Sequence, residues 1–377
     1  MTTIKAPIRV LQVLGCLNRG GAETLVVNLF HKIDKTKFQF DFVIHRCGEQ
    51  AYSREVIAGG GIIYYCPQYK GYNCYQYRKW WENFFKLHPE YVIVHGHVPS
   101  TASIYLKVAK KYGCIAIAHS HTTSSGRGIS SLIKNVLQHS IRRNADFFMG
   151  CSRESNEWLF GKKIANNGEK CVILKNGIDT TRYTFNEKLR FEKRNELNVS
   201  NDLVIGTVGR MEEPKNPLFI VDVVFEAAKI CPNVKFVWVG NGSMRQAVEE
   251  KIKDLSLSDR FVLVGDVDNV SDYLQAMDMF LFPSLWEGLG MSLVEAQSVG
   301  LPCACSDVIP NEAIVTDLVE KIPLTEKPDV WARKCVYRVN KEIRKDQTFY
   351  IVKSGYDIQK SVRQLSEVYG ALIQNLK

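Results

Sequence analysis

Pro283-Ser284-Leu285-Trp286-Glu287-Gly288-Leu289-Gly290-Met291-Ser292-Leu293-Val294-Glu295-Ala296 is the stretch from which the fold can be read. The apolar run Met279 to Phe282 ahead of it predicts a buried strand ending at Pro283. Gly288 and Gly290 predict a turn whose backbone can come close to a bound group. From about Met291 the spacing becomes helical, and Gly300-Leu301-Pro302 stops it. Glu287 is thus expected in a loop ahead of a helix, and Glu295 just over one turn inside it. Between them lie free N–H groups at a helix N-terminus, which suit a phosphate. Two carboxylates beside such a cradle would repel the phosphate itself. They make better sense as hydrogen-bond acceptors for hydroxyls, and a sugar nucleotide carries hydroxyls on both sides of its diphosphate.

Working backwards, the second half alternates strands and helices. Leu203 to Val208 predicts a strand, followed by Gly209-Arg210-Met211-Glu212-Glu213-Pro214-Lys215-Asn216-Pro217 and a helix from Leu218. Val234–Val239, Phe261–Gly265 and Met279–Phe282 predict further strands, and Tyr273 to Met277 a helix. Arg210 can fork two phosphate oxygens, and Lys215 adds a point charge at the same strand edge as Glu287. Gly240-Asn-Gly242-Ser-Met-Arg245 has arginine where a dinucleotide fingerprint needs its last glycine, which counts against an NAD-dependent oxidoreductase.

The first half reads as the same alternation. Ile8 to Leu14 is a strand, Gly15 to Gly21 a loop and Ala22 to His31 a helix, an opening of the dinucleotide type without the G-x-G-x-x-G spacing. Gly20-Gly21 is either a close approach to phosphate or a tight turn. Strands are expected at Phe40–Ile44, Ile62–Tyr65, Tyr91–His95, Ile115–Ala118, Phe147–Ser152 and Cys171–Lys175. The segment Tyr69 to Tyr77 reads as a loop, Trp80 to Leu87 as a helix and Thr184 to Ser200 as an interdomain connection. His119-Ser-His121-Thr122-Thr123 closes the Ile115 strand at the carboxyl end, where doubly wound sheets bind ligands. A histidine there suits a sugar hydroxyl or a reacting group, or caps the next element. Ser130 to Arg143 is amphipathic, with Leu132, Ile133, Val136, Leu137 and Ile141 on one face and Lys134, Arg142 and Arg143 elsewhere. It reads as a helix packed on its own domain or one lying on an anionic membrane.

Length and composition fit two globular domains: 377 residues, 45% hydrophobic, 24% charged. The chain shows no apolar run long enough to span a bilayer and no secretion signal at Met1. Its 11 cysteines form no metal-type pairs and read as free thiols of a reducing cytoplasm. Net charge is +9 but uneven, +13 over residues 1–183 and −4 over the rest. A basic first half points to an anionic membrane, a phosphorylated acceptor or nucleic acid, and no nucleic-acid module motif is visible.

Arg210 and Lys215 followed by Glu287-x7-Glu295 resemble the retaining GT-B glycosyltransferases of family 4. Asn176-Gly-Ile-Asp179, Phe282-Pro-Ser-Leu-Trp-Glu287 and Gly20-Gly21-Ala-Glu23 extend the resemblance over residues 8 to about 325, and it is strongest with bacterial capsule and exopolysaccharide enzymes. It implies an α/β fold of two Rossmann-like doubly wound domains facing a cleft. Residues 1–183 would form an acceptor domain, 184–350 a nucleotide-sugar domain, and 351–377 would include a helix, Gly355 to Asn375, that crosses back to the first. It places Arg210 and Lys215 on the donor diphosphate, Glu287 on donor-sugar hydroxyls, and the amides of Gly290, Met291 and Ser292 on sugar and phosphate. Glu295 would hold ribose hydroxyls, Gly21 would approach the diphosphate, and His121, with His119 as rival, would be the active-site histidine.

The resemblance further implies no metal and no cofactor beyond the nucleotide-sugar co-substrate, since protein cations neutralise the leaving group and no Asp-x-Asp lies in a suitable loop. The expected reaction moves a hexose-type sugar, from a UDP-sugar, to a glycan or polyprenyl-linked acceptor with retention. Its expected place is the cytoplasm, with peripheral contact at the inner membrane face and no nucleic-acid partner. A nucleotide-sugar epimerase, an inactive binding subunit and the oxidoreductase above are the competing readings. Donor breakdown without acceptor would mark the epimerase, and the absence of nucleotide release on incubation with donor would mark the inactive subunit.

Overall fold

The computed structural model describes residues 6–122, 138–339 and 344–375. The chain divides into two compact units, Met1–Ile178 with Gly355–Lys377, and Asp179–Ser354. The first holds a seven-stranded parallel sheet: β1 (Ile8–Leu14), β2 (Phe38–Ile44), β3 (Ile63–Tyr65), β4 (Tyr91–Gly96), β5 (Ile115–Ser120), β6 (Phe147–Gly150) and β7 (Cys171–Ile173), in the order β3-β2-β1-β4-β5-β6-β7. The second holds six: β8 (Leu203–Val208), β9 (Val234–Val239), β10 (Phe261–Gly265), β11 (Met279–Phe282), β12 (Cys303–Ser306) and β13 (Val319–Ile322), in the order β10-β9-β8-β11-β12-β13. Both orders run outward from the first strand and then reverse. The reversals fall between β1 and β4 and between β8 and β11, and ligands of doubly wound sheets bind at such points.

Nearly continuous apolar runs make these strands, because helices cover both faces of a parallel sheet. All seven residues of β2 are buried, Asp41 among them. Its carboxylate is satisfied by Arg9 through two bonds of 2.6 and 2.7 Å, by Tyr91 Oη at 2.9 Å and by the Ile62 amide at 2.8 Å. The Ile358–Gln374 helix packs on the first sheet, burying Ile358, Leu365 and Tyr369 against Val10, Phe38 and Phe40. Gly177 makes that approach possible, since a Cβ there would lie 2.6 Å from Ile358 Cα. Ile178 and Ile358 complete the join by exchanging backbone bonds through Tyr356 and Ile178 carbonyls at 2.7 and 2.9 Å.

Two expectations change. Thr184 to Ser200 is not a bare connection: Glu187–Glu196 is a helix of the second unit, capped by Asn186 Oδ1 accepting from the Leu189 amide at 3.0 Å. Arginines anchor it in place of an apolar stripe, Arg190 and Arg194 both pairing with Asp278. The loop expected over Tyr69 to Tyr77 gives way at Cys74 to a helix running to Leu87, and Tyr77 is buried there with its hydroxyl 2.7 Å from His45 Nε2. Beyond residue 325, where the resemblance ends, the chain forms the Pro328–Val339 helix, whose Trp331 is fully buried against the Pro217–Ile230 helix. The membrane-helix reading of Ser130 to Leu137, with Leu132, Ile133, Lys134 and Val136, lies outside the described residues, while Ile141 is buried. Among the described residues no helix is long and apolar enough to cross a membrane, and all 11 cysteines are free thiols, seven of them buried.

Candidate active site

In the second unit the loop after β8 and the loop after β11 flank the strand-order reversal. They are tied together by the Leu285 amide donating to the Pro214 carbonyl at 2.8 Å. A 3-10 turn over Glu213–Lys215 and a left-handed Asn216 aim Lys215 inward. Its ammonium pairs with the Glu287 carboxylate and lies 4.5 Å from the centre of the Phe282 ring. Arg210, on the same loop, is exposed and forms no ion pair among the described residues.

Gly240 and Gly242 brace that loop. A Cβ on Gly240 would lie 2.4 Å from the Gly209 carbonyl oxygen, and one on Gly242 would lie 2.3 Å from that of Met211. The Met211 amide donates to Asn241 O at 3.0 Å and Trp238 Nε1 to Gly209 O at 3.0 Å. These glycines therefore serve close backbone packing.

Gly290 takes φ +88°, and a Cβ there would meet the Phe282 ring at 3.1 Å, so the turn demands glycine. It starts the Met291–Ser298 helix with no side-chain cap, which leaves the Met291 and Ser292 amides to a ligand. Glu295, on the same helix, is partly buried. Burial raises its carboxyl to about 7 against the opposing pull of a Tyr183 hydrogen bond and the charges of Arg182 and Lys215. One end of this helix thus collects Lys215, Glu287, the open amides and a carboxyl poised near neutrality.

In the first unit Gly21 opens the Gly21–Lys32 helix, and a Cβ there would meet nothing within 4 Å. His121 lies just past β5, and His119 ends buried within it. Thr123 lies outside the described residues. The structure adds His95 and His97 at the carboxyl end of β4, stacked with the other two at ring-centre distances of 4.1 to 5.2 Å. The sequence offered a signal for them in the repeated His-x-His at the ends of adjacent strands, His95-Gly-His97 and His119-Ser-His121. Burial drives all four imidazoles toward the neutral form, His95 down to about 3 and His121 to about 4.

Two doubly wound sheets, with an uncapped helix start beside a lysine–glutamate pair at the second switch point, define a nucleotide-binding enzyme of the GT-B class. Residues 19–182 match the model for glycosyltransferase family 4 and residues 202–340 that for glycosyl transferases group 1. EpsF of Bacillus subtilis (strain 168), assigned by name as a glycosyltransferase, is 32% identical over 96% of both chains. The UDP-Gal:alpha-D-GlcNAc-diphosphoundecaprenol alpha-1,3-galactosyltransferase of Escherichia coli is 26% identical over 76% of this chain and 77% of its own. The crystal structure of Anabaena Alr3699/HepE in complex with UDP matches with a TM-score of 0.77 at 16% identity, covering 97% of this chain and 100% of that one. The chain belongs to the family 4, group 1 glycosyltransferases, enzymes that transfer sugar from a nucleotide donor.

Proposed function

We propose that this enzyme moves a hexose-type sugar from a UDP-sugar to a glycan or polyprenyl-linked acceptor, with retention, in bacterial capsule or exopolysaccharide assembly. The observation that carries the reading is the Lys215–Glu287 pair set beside the uncapped Met291 and Ser292 amides. As the anomeric bond breaks, negative charge gathers on the diphosphate and positive charge on the anomeric carbon. Lys215, Arg210 and the helix N-terminus stabilise the first, held in place before the reaction begins. Glu287 accepts donor-sugar hydroxyls and orients Lys215. Glu295 accepts from the ribose, Gly21 admits the diphosphate, and His121 or His119 meets the transferred sugar. The leaving phosphate takes the proton of an acceptor hydroxyl attacking on the same face. Protein cations and amides carry the neutralisation, so the reaction proceeds without metal or further cofactor.

The UDP complex of the Anabaena structure supports the base, and the diphosphoundecaprenol substrate named for the E. coli relative supports a lipid-linked acceptor. The excess of +13 over residues 1–183 suits such an acceptor at the cytoplasmic face of an anionic membrane. The test incubates purified chain with a panel of UDP-, GDP- and ADP-sugars and a polyprenyl-diphosphate glycan, with and without chelator. Nucleotide release and the product's anomeric proton coupling are then read. Release with UDP-sugar that needs acceptor, survives chelation and yields the donor's anomer is expected. Inversion, a metal requirement, or release that needs no acceptor would each overturn its own part.

A further inference from the structure

Three buried histidines, His95, His97 and His119, and the half-buried His121 are joined through one amide. Gln12 of β1 stands beside His95 of β4 in the sheet register. Its Oε1 is 2.8 Å from His97 Nε2, and its Nε2 donates to Tyr369 Oη at 3.2 Å. From the oxygen end, His97 Nδ1 lies 2.8 Å from His121 Nε2. From the nitrogen end, Tyr369 Oη lies 2.7 Å from His95 Nδ1, and His95 Nε2 lies 3.2 Å from His119 Nδ1. Each row ends in a nitrogen with no partner among the described residues, His121 Nδ1 and His119 Nε2.

A neutral imidazole has one N–H and one bare nitrogen, so a donor at one end fixes an acceptor at the other. Gln12 Oε1 accepts, so His97 donates from Nε2 and accepts at Nδ1. His121 must then donate from Nε2, which leaves its Nδ1 bare. In the other row Gln12 donates to Tyr369, Tyr369 donates to His95 Nδ1, and His95 Nε2 donates to His119 Nδ1. That leaves His119 Nε2 carrying a proton. Turning the amide end for end reverses both rows together. In either orientation one terminal nitrogen donates and the other accepts.

We propose that Gln12 is a positioning residue that fixes the tautomers of all four histidines, so that His119 and His121 present opposed hydrogen-bonding faces matched to a single hydroxyl. A hydroxyl donates and accepts at once, whereas a phosphate oxygen only accepts. The pair therefore selects a sugar hydroxyl over the diphosphate, a selection that rests on the sugar-binding role given to these histidines above. The nitrogens of His95, His97 and His119 also lie within 4.8 Å of one another, close enough to ligate a cation. The two rows engage both nitrogens of His95 and His97 and one of His119, so cation binding and the tautomer rows compete for the same lone pairs.

Imidazole 15N NMR of histidine-labelled full-length chain, without donor, reads tautomers directly. Wild type is expected to show four neutral rings, each with one protonated and one bare nitrogen and all four protonated at the same ring position, Nε2 as traced above or Nδ1 with the amide turned. Gln12→Met, close in volume and without an amide, should let signals in both rows average. Tyr369→Phe should release His95 and His119 and leave His97 and His121 locked. Averaged signals in wild type, different tautomers at His119 and His121, no change in Gln12→Met, or stoichiometric divalent metal in the purified chain would overturn the proposal. Circular dichroism of each variant separates unfolding from tautomer release. These outcomes are independent of whether the enzyme turns over any donor. With an active donor in hand, Gln12→Met should raise KM for the sugar donor several-fold while the affinity for free nucleotide stays unchanged.

Discussion

The Lys215 ammonium is held between the Glu287 carboxylate and the face of Phe282, with both partners supplied by β11 and its loop. The pair is mostly shielded, with the Lys215 side chain 22% and the Glu287 side chain 12% exposed. The carboxylate fixes where the cation stands before any anion arrives. Lys215→Ala should therefore lower turnover about 10²- to 10³-fold, the usual cost of removing one preorganised charge partner. Glu287→Gln should also lower turnover, because the lysine is no longer aimed. If the two act as one unit, the double variant will be little worse than Lys215→Ala alone. Nucleotide release under saturating donor measures all three, and additive losses would mean that they act separately.

Glu295 titrates at about 7 when folded, above the usual carboxyl value of 4.5. The folded state therefore holds this proton where the unfolded chain has released it. The contribution is fully present below about pH 4.5 and is lost as pH rises through 7. Glu295→Gln should flatten that dependence and raise the melting temperature at pH 8 by a few degrees, roughly 1–2 kcal/mol. The same substitution should weaken UDP binding at pH 8, where the carboxylate is the stronger acceptor for ribose hydroxyls. Thermal shift with and without UDP checks both, and a variant less stable than wild type at pH 8 would refute the first.

The histidine cluster tilts stability the other way. His95 and His121 lie at about 3 and 4 and His97 and His119 well below 6.5, chiefly through burial, to which neighbouring imidazoles add at His95, His97 and His119. The unfolded chain takes up protons that these rings refuse, so stability falls as pH drops below about 6.5. Each ring can contribute up to about 1.4 kcal/mol per pH unit there. Four such groups outweigh the single opposing carboxyl of Glu295. Urea unfolding at pH 7 and pH 5.5 should show a loss of several kcal/mol, and a loss below one proton's worth would mean that the rings charge in place.

Which parts were legible follows from what each depends on. The sheets came through as apolar runs, and the second switch point came through because glycines and charges cluster within short loops such as Gly209 to Pro217 and Pro283 to Gly290. The histidine rows did not, because Gln12, His95, His119 and Tyr369 meet only when β1, β4, β5 and the last helix assemble. The Glu187–Glu196 helix was missed because arginine bonds to Asp278 and to backbone carbonyls replace the apolar stripe that marks a packed helix.

Arg344 lies beyond residue 325, where the resemblance ends, yet its guanidinium closes the far end of the Met291–Ser298 helix. Nε donates to the Val299 carbonyl at 2.7 Å, Nη1 to Gln275 and Met277 at 2.8 and 3.0 Å, and Nη2 to Leu274 at 2.9 Å. These carbonyls end the Met291–Ser298 and Val270–Ala276 helices, and a cation there also suits the helix dipoles. Arg190 shares the Gln275 and Met277 carbonyls, so removing Arg344 orphans Val299 and Leu274 in particular. Arg344→Met should cost about 3 kcal/mol, since buried carbonyls lose a charged donor. Arg344→Lys should recover only part of it, because a point charge cannot reach carbonyls on two helices at once. Melting temperatures of the two variants decide the matter, and a lysine variant as stable as wild type would show that charge alone, without the fork, holds the helix ends.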